Sequence, residues 1–151
     1  MSNLKKEVNM AMNFDNYQKE AKTWLHELCD YLGIEDEHKA ARIFRVVLHA
    51  IRDRIPAGEA IHLAAQLPII WKGIYYDGFT LHAEPIRIRH EKEWLEFIRS
   101  KDAFAGNADF PTLDHAHYAF QDVMKFLRSR LSEGQYNQLA HSLHSNISVP
   151  V

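Results

Sequence analysis

Apolar residues recur along this chain at three- and four-residue spacing, and over no useful length at the two-residue spacing of a strand. In "NYQKEAKTWLHELCDYLG" (16–33), Ala21, Trp24, Leu25, Leu28, Tyr31 and Leu32 fall on one helical face. Asn13 or Asp15 can cap its start, and Gly33 supplies its stop. Asp36 then caps "EHKAARIFRVVLHAIRDRI" (37–55), where Ala40, Ile43, Phe44, Val47, Leu48 and Ile51 make a wide apolar stripe. "PAG" (56–58) turns the chain into "EAIHLAAQL", and Pro68 suits the first turn of "PIIWKGIYY", where its missing N–H costs nothing. Residues 77–85 read as a loop, 86–89 are too short to classify, and "EKEWLEFIRS" (91–100) is helical. Breakers crowd 101–111, which predicts a long loop. Thr112 or Asp114 caps a helix through Leu131, with Phe120, Val123, Met124 and Leu127 on its apolar face. "SEG" (132–134) leads to a last helix expected from Gln135 to about Ser145. The pattern predicts an all-α helical bundle. Its boundaries would be a mobile arm at 1–12, one domain over 13–147 and a tail at 148–151.

The pattern also repeats. Sliding the chain along itself by 76 positions lays "RIFRVVLHAIRDRIPAGEAIHLAAQL" (42–67) over "YAFQDVMKFLRSRLSEGQYNQLAHSL" (118–143) without a gap. Phe44 meets Phe120, Val47 meets Val123, Arg52 meets Arg128, Arg54 meets Arg130, and Gly58 meets Gly134. A shift of 70 brings "TWLHEL" (23–28) onto "EWLEFI" (93–98). The reading is two duplicated three-helix units, 13–78 and 86–147, packed about a pseudo-twofold axis so that each covers the other's apolar faces. One stretch has no counterpart. "PIIWKGIYYDGF" (68–79) carries Trp71, Tyr75, Tyr76 and Phe79, and the second unit has only "HSNISVPV" in its place.

Composition narrows the function. The 151 residues are 46% hydrophobic and 25% charged, enough for a real core, and the net charge of −2 gives no general attraction to nucleic acid. In "IRIRHEKEWLEFIRSK" (86–101) the basic residues alternate with Glu91, Glu93 and Glu96, as on a solvated helix face. No run approaches the ~18 apolar residues of a membrane span, and the start lacks a signal-peptide pattern. A cytoplasmic protein with no membrane and no nucleic-acid partner is expected. A single cysteine, Cys29, excludes an internal disulfide and a thiolate metal cluster.

The ten histidines raise a metal hypothesis. Glu35/His38 and Glu59/His62 have the i, i+3 spacing of carboxylate–histidine metal helices, but both fall at helix starts. The repeat counterparts of Glu59 and His62 are Gln135 and Gln138, which breaks a symmetric site. His141 and His144 could chelate a divalent ion, although no neighbouring Cys or Glu completes the shell. His26 with Asp30, and His49 with Asp53, have the i, i+4 spacing of surface pairs. Cys29 has no base at hand, no serine sits in a nucleophile elbow, and the six glycines are scattered. No catalytic constellation emerges and no cofactor is expected, so the chain does not read as an enzyme. Arg52, Arg54, Arg128 and Arg130 end the two long helices, where cations favour the carbonyl ends. If they converge, they form an anion pocket instead.

"AARIFRVVLHAIRDRIPAGEAIHLAAQLPIIWKGIYYDG" (40–78) resembles the bacterial and archaeal family called domain of unknown function 2267. The carrying residues are the Arg-rich turn and Gly-Glu-Ala loop (Arg52–Gly58), "AAQLP" (Ala64–Pro68), "YYDG" (Tyr75–Gly78) and the aromatic Phe79, where many members carry Trp. The resemblance extends over roughly 15–145 and implies an all-helical prokaryotic cytoplasmic protein, with no activity attached. Together these features favour a non-enzymatic scaffold or interaction module. Trp71, Tyr75, Tyr76 and Phe79 would grip a second copy or a protein partner, or else plug the core. The alternative is a small-ligand, anion or metal-binding protein that uses the arginine or histidine clusters.

Overall fold

In the computed structural model of the chain, residues 13–81, 84–102 and 108–150 are described. The expected arm (1–12) and the middle of the breaker-rich loop (103–107) lie outside them. Seven helices make up the described fold, with no strand among the described residues. They are α1 (Phe14–Leu32), α2 (Glu37–Arg54), α3 (Ala57–Ala65), α4 (Ile69–Tyr76), α5 (Glu91–Ser100), α6 (Leu113–Arg130) and α7 (Glu133–Leu143).

Local chemistry sets most of the boundaries. The Asn13 side chain accepts the Asp15 N–H at 2.9 Å, and Gly33 closes α1 at φ 67°, a left-handed conformation that glycine adopts without strain. Asp36 accepts the Lys39 N–H at 3.1 Å, and Thr112 accepts the His115 N–H at 3.3 Å. Helix α7 begins two residues before the sequence-based expectation. Ser132 and Gln135 form a reciprocal capping box, so Gln135 is the third helical residue, not the first. The helix also ends earlier, at Leu143, and Asn146 at φ 64° lies beyond the stop.

Helices α2 and α6 run through the centre. Helix α1 packs on both of them, as does α5, while α3 packs on α2 and α7 on α6. Helices α2 and α6 also touch each other, as do α3 and α7. The Phe126 ring is an aromatic node: Trp24, Tyr31 and Phe44 meet it edge-on at 5.5, 5.7 and 5.7 Å. Nearer the start of α6, the fully buried Trp94 of α5 meets Phe120 at 5.3 Å. Helix α4 stands outside this scheme, against α1, α2 and α3. Residues 84–90, before α5, are irregular and are pinned through the backbone of Ile86. Ile86 donates to the Asp53 carbonyl at 3.1 Å, and Arg54 Nη1 donates to the Ile86 carbonyl at 3.2 Å. No helix among the described residues is long and apolar enough to cross a membrane.

Candidate functional site

Helix α4 is eight residues long, too short to be stable on its own in water. Its inner face explains why it forms. Trp71 and Tyr75, one turn apart, both point into the core. The Trp71 indole N–H donates to the Ala21 carbonyl at 3.0 Å, and its ring meets Phe44 at 4.7 Å. The Tyr75 hydroxyl donates to the Ala60 carbonyl at 2.7 Å, and burial pushes its pKa up. These two residues are therefore core. Their polar atoms are satisfied inside the protein, and they present nothing to a partner.

The carbonyl end of α4 is closed by buried side chains of α2. His49 Nε2 donates to the Ile74 carbonyl at 2.7 Å, and Arg52 Nη1 donates to the Tyr75 and Asp77 carbonyls at 2.8 Å each. A guanidinium at a helix C-terminus meets both orphan acceptors and the negative end of the dipole. Burial pushes the His49 pKa below its usual value, helped by the positive charges of Arg52 and Arg45 and opposed by the bond to Ile74. The expected surface pair of His49 with Asp53 does not form, because His49 faces α4. His26 likewise lies 3.5 Å from Glu37, across the α1–α2 turn, in place of the expected Asp30.

The outer face of the same segment is different. Tyr76 and Phe79 are half-buried and lie 5.9 Å apart, ring to ring. With Ile61 and Leu81 they line an open apolar hollow of about 390 Å³. Ile61 is 46% exposed and Leu81 60%, and Ile69, two turns before Tyr76 on α4, is 50% exposed. Sequence reasoning missed Ile61 and Leu81. Ile61 did carry a signal, as the apolar residue of α3 beside the inward Ala60, Leu63 and Ala64.

A polar cluster adjoins this face at the end of α2. Asp53 accepts from Arg52 Nε at 2.8 Å and from Lys101 Nζ at 2.6 Å. Burial pushes its carboxyl up, and these hydrogen bonds and charges more than offset that, holding it below the usual range. Lys101 arrives from the end of α5, a contact between distant segments that no local spacing signals.

The remaining sequence candidates separate. Arg54 binds the Ile86 carbonyl, Arg128 lies 5.4 Å from the Tyr136 ring centre, and Arg130 pairs with Glu27 and lies over Trp24 and Phe126. With Arg52 buried at α4, each of the four arginines has its own partners, and the structure does not bring them together as an anion pocket. His141 and His144 stack at 5.2 Å, and His144 Nδ1 donates to the His141 carbonyl at 2.8 Å. Among the described residues no group of three or more His, Cys, Asp or Glu is placed to hold a metal ion. Cys29 is buried, and that burial, with Glu37, Asp30 and Asp36 nearby, raises its pKa and keeps it a thiol.

No curated protein matches the chain. The family described as an uncharacterized conserved protein, DUF2267, matches residues 21–148, a span that takes in α2 to α7 whole, the α4 segment and the Asp53 cluster. By that match, over most of its length, the chain belongs to the DUF2267 family.

Proposed function

We propose that this protein is a non-enzymatic helical interaction module of the prokaryotic cytoplasm that associates with a second copy through the outer face of α4. The carrying observation is the open hollow formed by Tyr76 at the end of α4, Phe79 and Leu81 just after it and Ile61 of the neighbouring α3, where the segment 68–79 that has no repeat counterpart meets the repeated scaffold. Exposed apolar residues gathered in one hollow are the kind of surface at which proteins meet, and aromatic residues dominate binding energy at protein interfaces.

The scaffold beneath it reads as a duplication about a pseudo-twofold axis, and three features support this. The buried positions of α6 (Ala116, Ala119, Phe120, Val123, Met124, Phe126 and Leu127) all correspond, at the 76-residue shift, to buried positions of α2. The packing scheme is symmetric when α1, α2 and α3 are exchanged for α5, α6 and α7. Glu59 and His62 share a small cavity with their own counterparts, Gln135 and Gln138, and Gln138 donates to Glu59 at 2.6 Å. Residues facing their own repeat partners are what a twofold axis between α3 and α7 produces.

Light scattering on the wild type and on a Tyr76→Ser/Leu81→Ser variant tests the function. A concentration-dependent dimer is expected for the wild type, and a monomer of unchanged helicity for the variant. A wild type that stays monomeric at every concentration removes the proposal.

A further inference from the structure

A second, deeper recess opens beside the apolar face, between the end of α2, the loop after α4 and the end of α5. It is a cleft of about 190 Å³, smaller than the roughly 300–1,000 Å³ that drug-sized ligands occupy. Its lining includes Arg52, Asp53 and Lys101 together with the rings of Phe79 and Phe97, while the exposed Glu84 stands among the residues of its edge. The Arg52 guanidinium lies 5.6 Å from the Phe79 ring centre, and the Lys101 ammonium lies 4.8 Å from that of Phe97.

The charges in this cluster do not balance. Two cations share one carboxylate, and the three side chains are only 5%, 23% and 27% exposed for Arg52, Asp53 and Lys101. Arg52 is nearly saturated: four of its five N–H donors are used, Nε and one on Nη2 by Asp53 and both on Nη1 by carbonyls. Lys101 is not. An ammonium carries three N–H donors, and Asp53 is the one acceptor that meets it among the described residues. A half-buried ammonium with spare donors, beside the Phe97 ring in a cleft that Phe79 also lines, suits an anion with an apolar body. Among the three buried groups the excess is a single positive charge, while Asp53, and Glu84 at the exposed edge, repel a second negative one. That favours a monoanion over a phosphate dianion, for which a free arginine fork is the better receptor.

We propose that this cleft binds a small organic monocarboxylate, with Lys101 holding the carboxylate and Phe79 and Phe97 enclosing the apolar body. The test is a titration of the full chain with benzoate, followed by amide chemical shifts. Saturable shifts are expected in 53–57, 78–80 and 97–101, with a Kd of about 1 mM or tighter. Lys101→Met should weaken binding at least about tenfold. Ala57→Phe fills the cleft without touching its charges and should do the same, with circular dichroism confirming that both variants fold. Phosphate and benzylamine, the wrong anion and the wrong charge, should not compete. The absence of saturable shifts with benzoate overturns the proposal, as do affinities unchanged in both variants or tighter binding of phosphate.

Discussion

Arg52 and Arg128 align at the 76-residue shift of the sequence and have opposite surroundings. Arg52 is 4% exposed and holds two carbonyls of the α4 end and the Asp53 carboxylate, whereas Arg128 is exposed and rests on the Tyr136 ring. Removing a buried charge that satisfies several acceptors leaves each of them unpaired, while removing a surface one forfeits a single weak contact. Arg52→Ala should therefore cost about 2–4 kcal/mol in urea unfolding, and Arg128→Ala less than about 1 kcal/mol. His49 adds a pH dependence. Its folded pKa lies below the usual 6.5, so unfolding takes up a proton as the pH drops. The stability it confers is complete above about pH 6.5 and is lost as the pH falls through the folded value. Melting temperature should fall from pH 7 toward 5 in the wild type and fall less in His49→Gln, whose amide can still donate to the Ile74 carbonyl.

At the scale of the element, α4 is held entirely by its surroundings. Pro68 and Asp77 bound it without a side-chain cap at the start, and its stability comes from Trp71, Tyr75 and the α2 side chains that close its end. Trp71→Ala should cost about 3–5 kcal/mol, the range for deleting a buried aromatic ring, with unfolding measured by denaturant. Amide exchange in α4 should accelerate more than in α6, because this short helix rests on two buried rings, Trp71 and Tyr75, and the variant removes one of them. The aromatic density of 67–79 was plain in the sequence, but its division into an inner and an outer face was not. Trp71 and Tyr75 share a helical face at i, i+4, and Tyr76 begins the next face. Only the position of α1 and α3 decides which of those faces is covered.

At the scale of the whole molecule, the alternation of apolar and polar residues was sufficient to predict an all-helical chain. The caps at Asn13, Asp36 and Thr112 were legible because a cap is a contact between residues two or three apart. The same locality explains the apolar stripes of α2 and α6. The long-range partners of His49, Arg52, Arg54 and Lys101 were not legible, since those contacts join residues from 23 to 48 positions apart. Charge spacing along one helix suggested His49 with Asp53, and packing against α4 overrode it. What the sequence by itself determined is thus whatever depends on neighbours within a turn or two: helices, caps and stripes. The tertiary structure alone decided which aromatics are core, which arginine is buried, and that Asp53, Lys101 and two phenylalanine rings enclose one cleft. Burial and long-range pairing are properties of the assembled chain, set by which surfaces exclude water together.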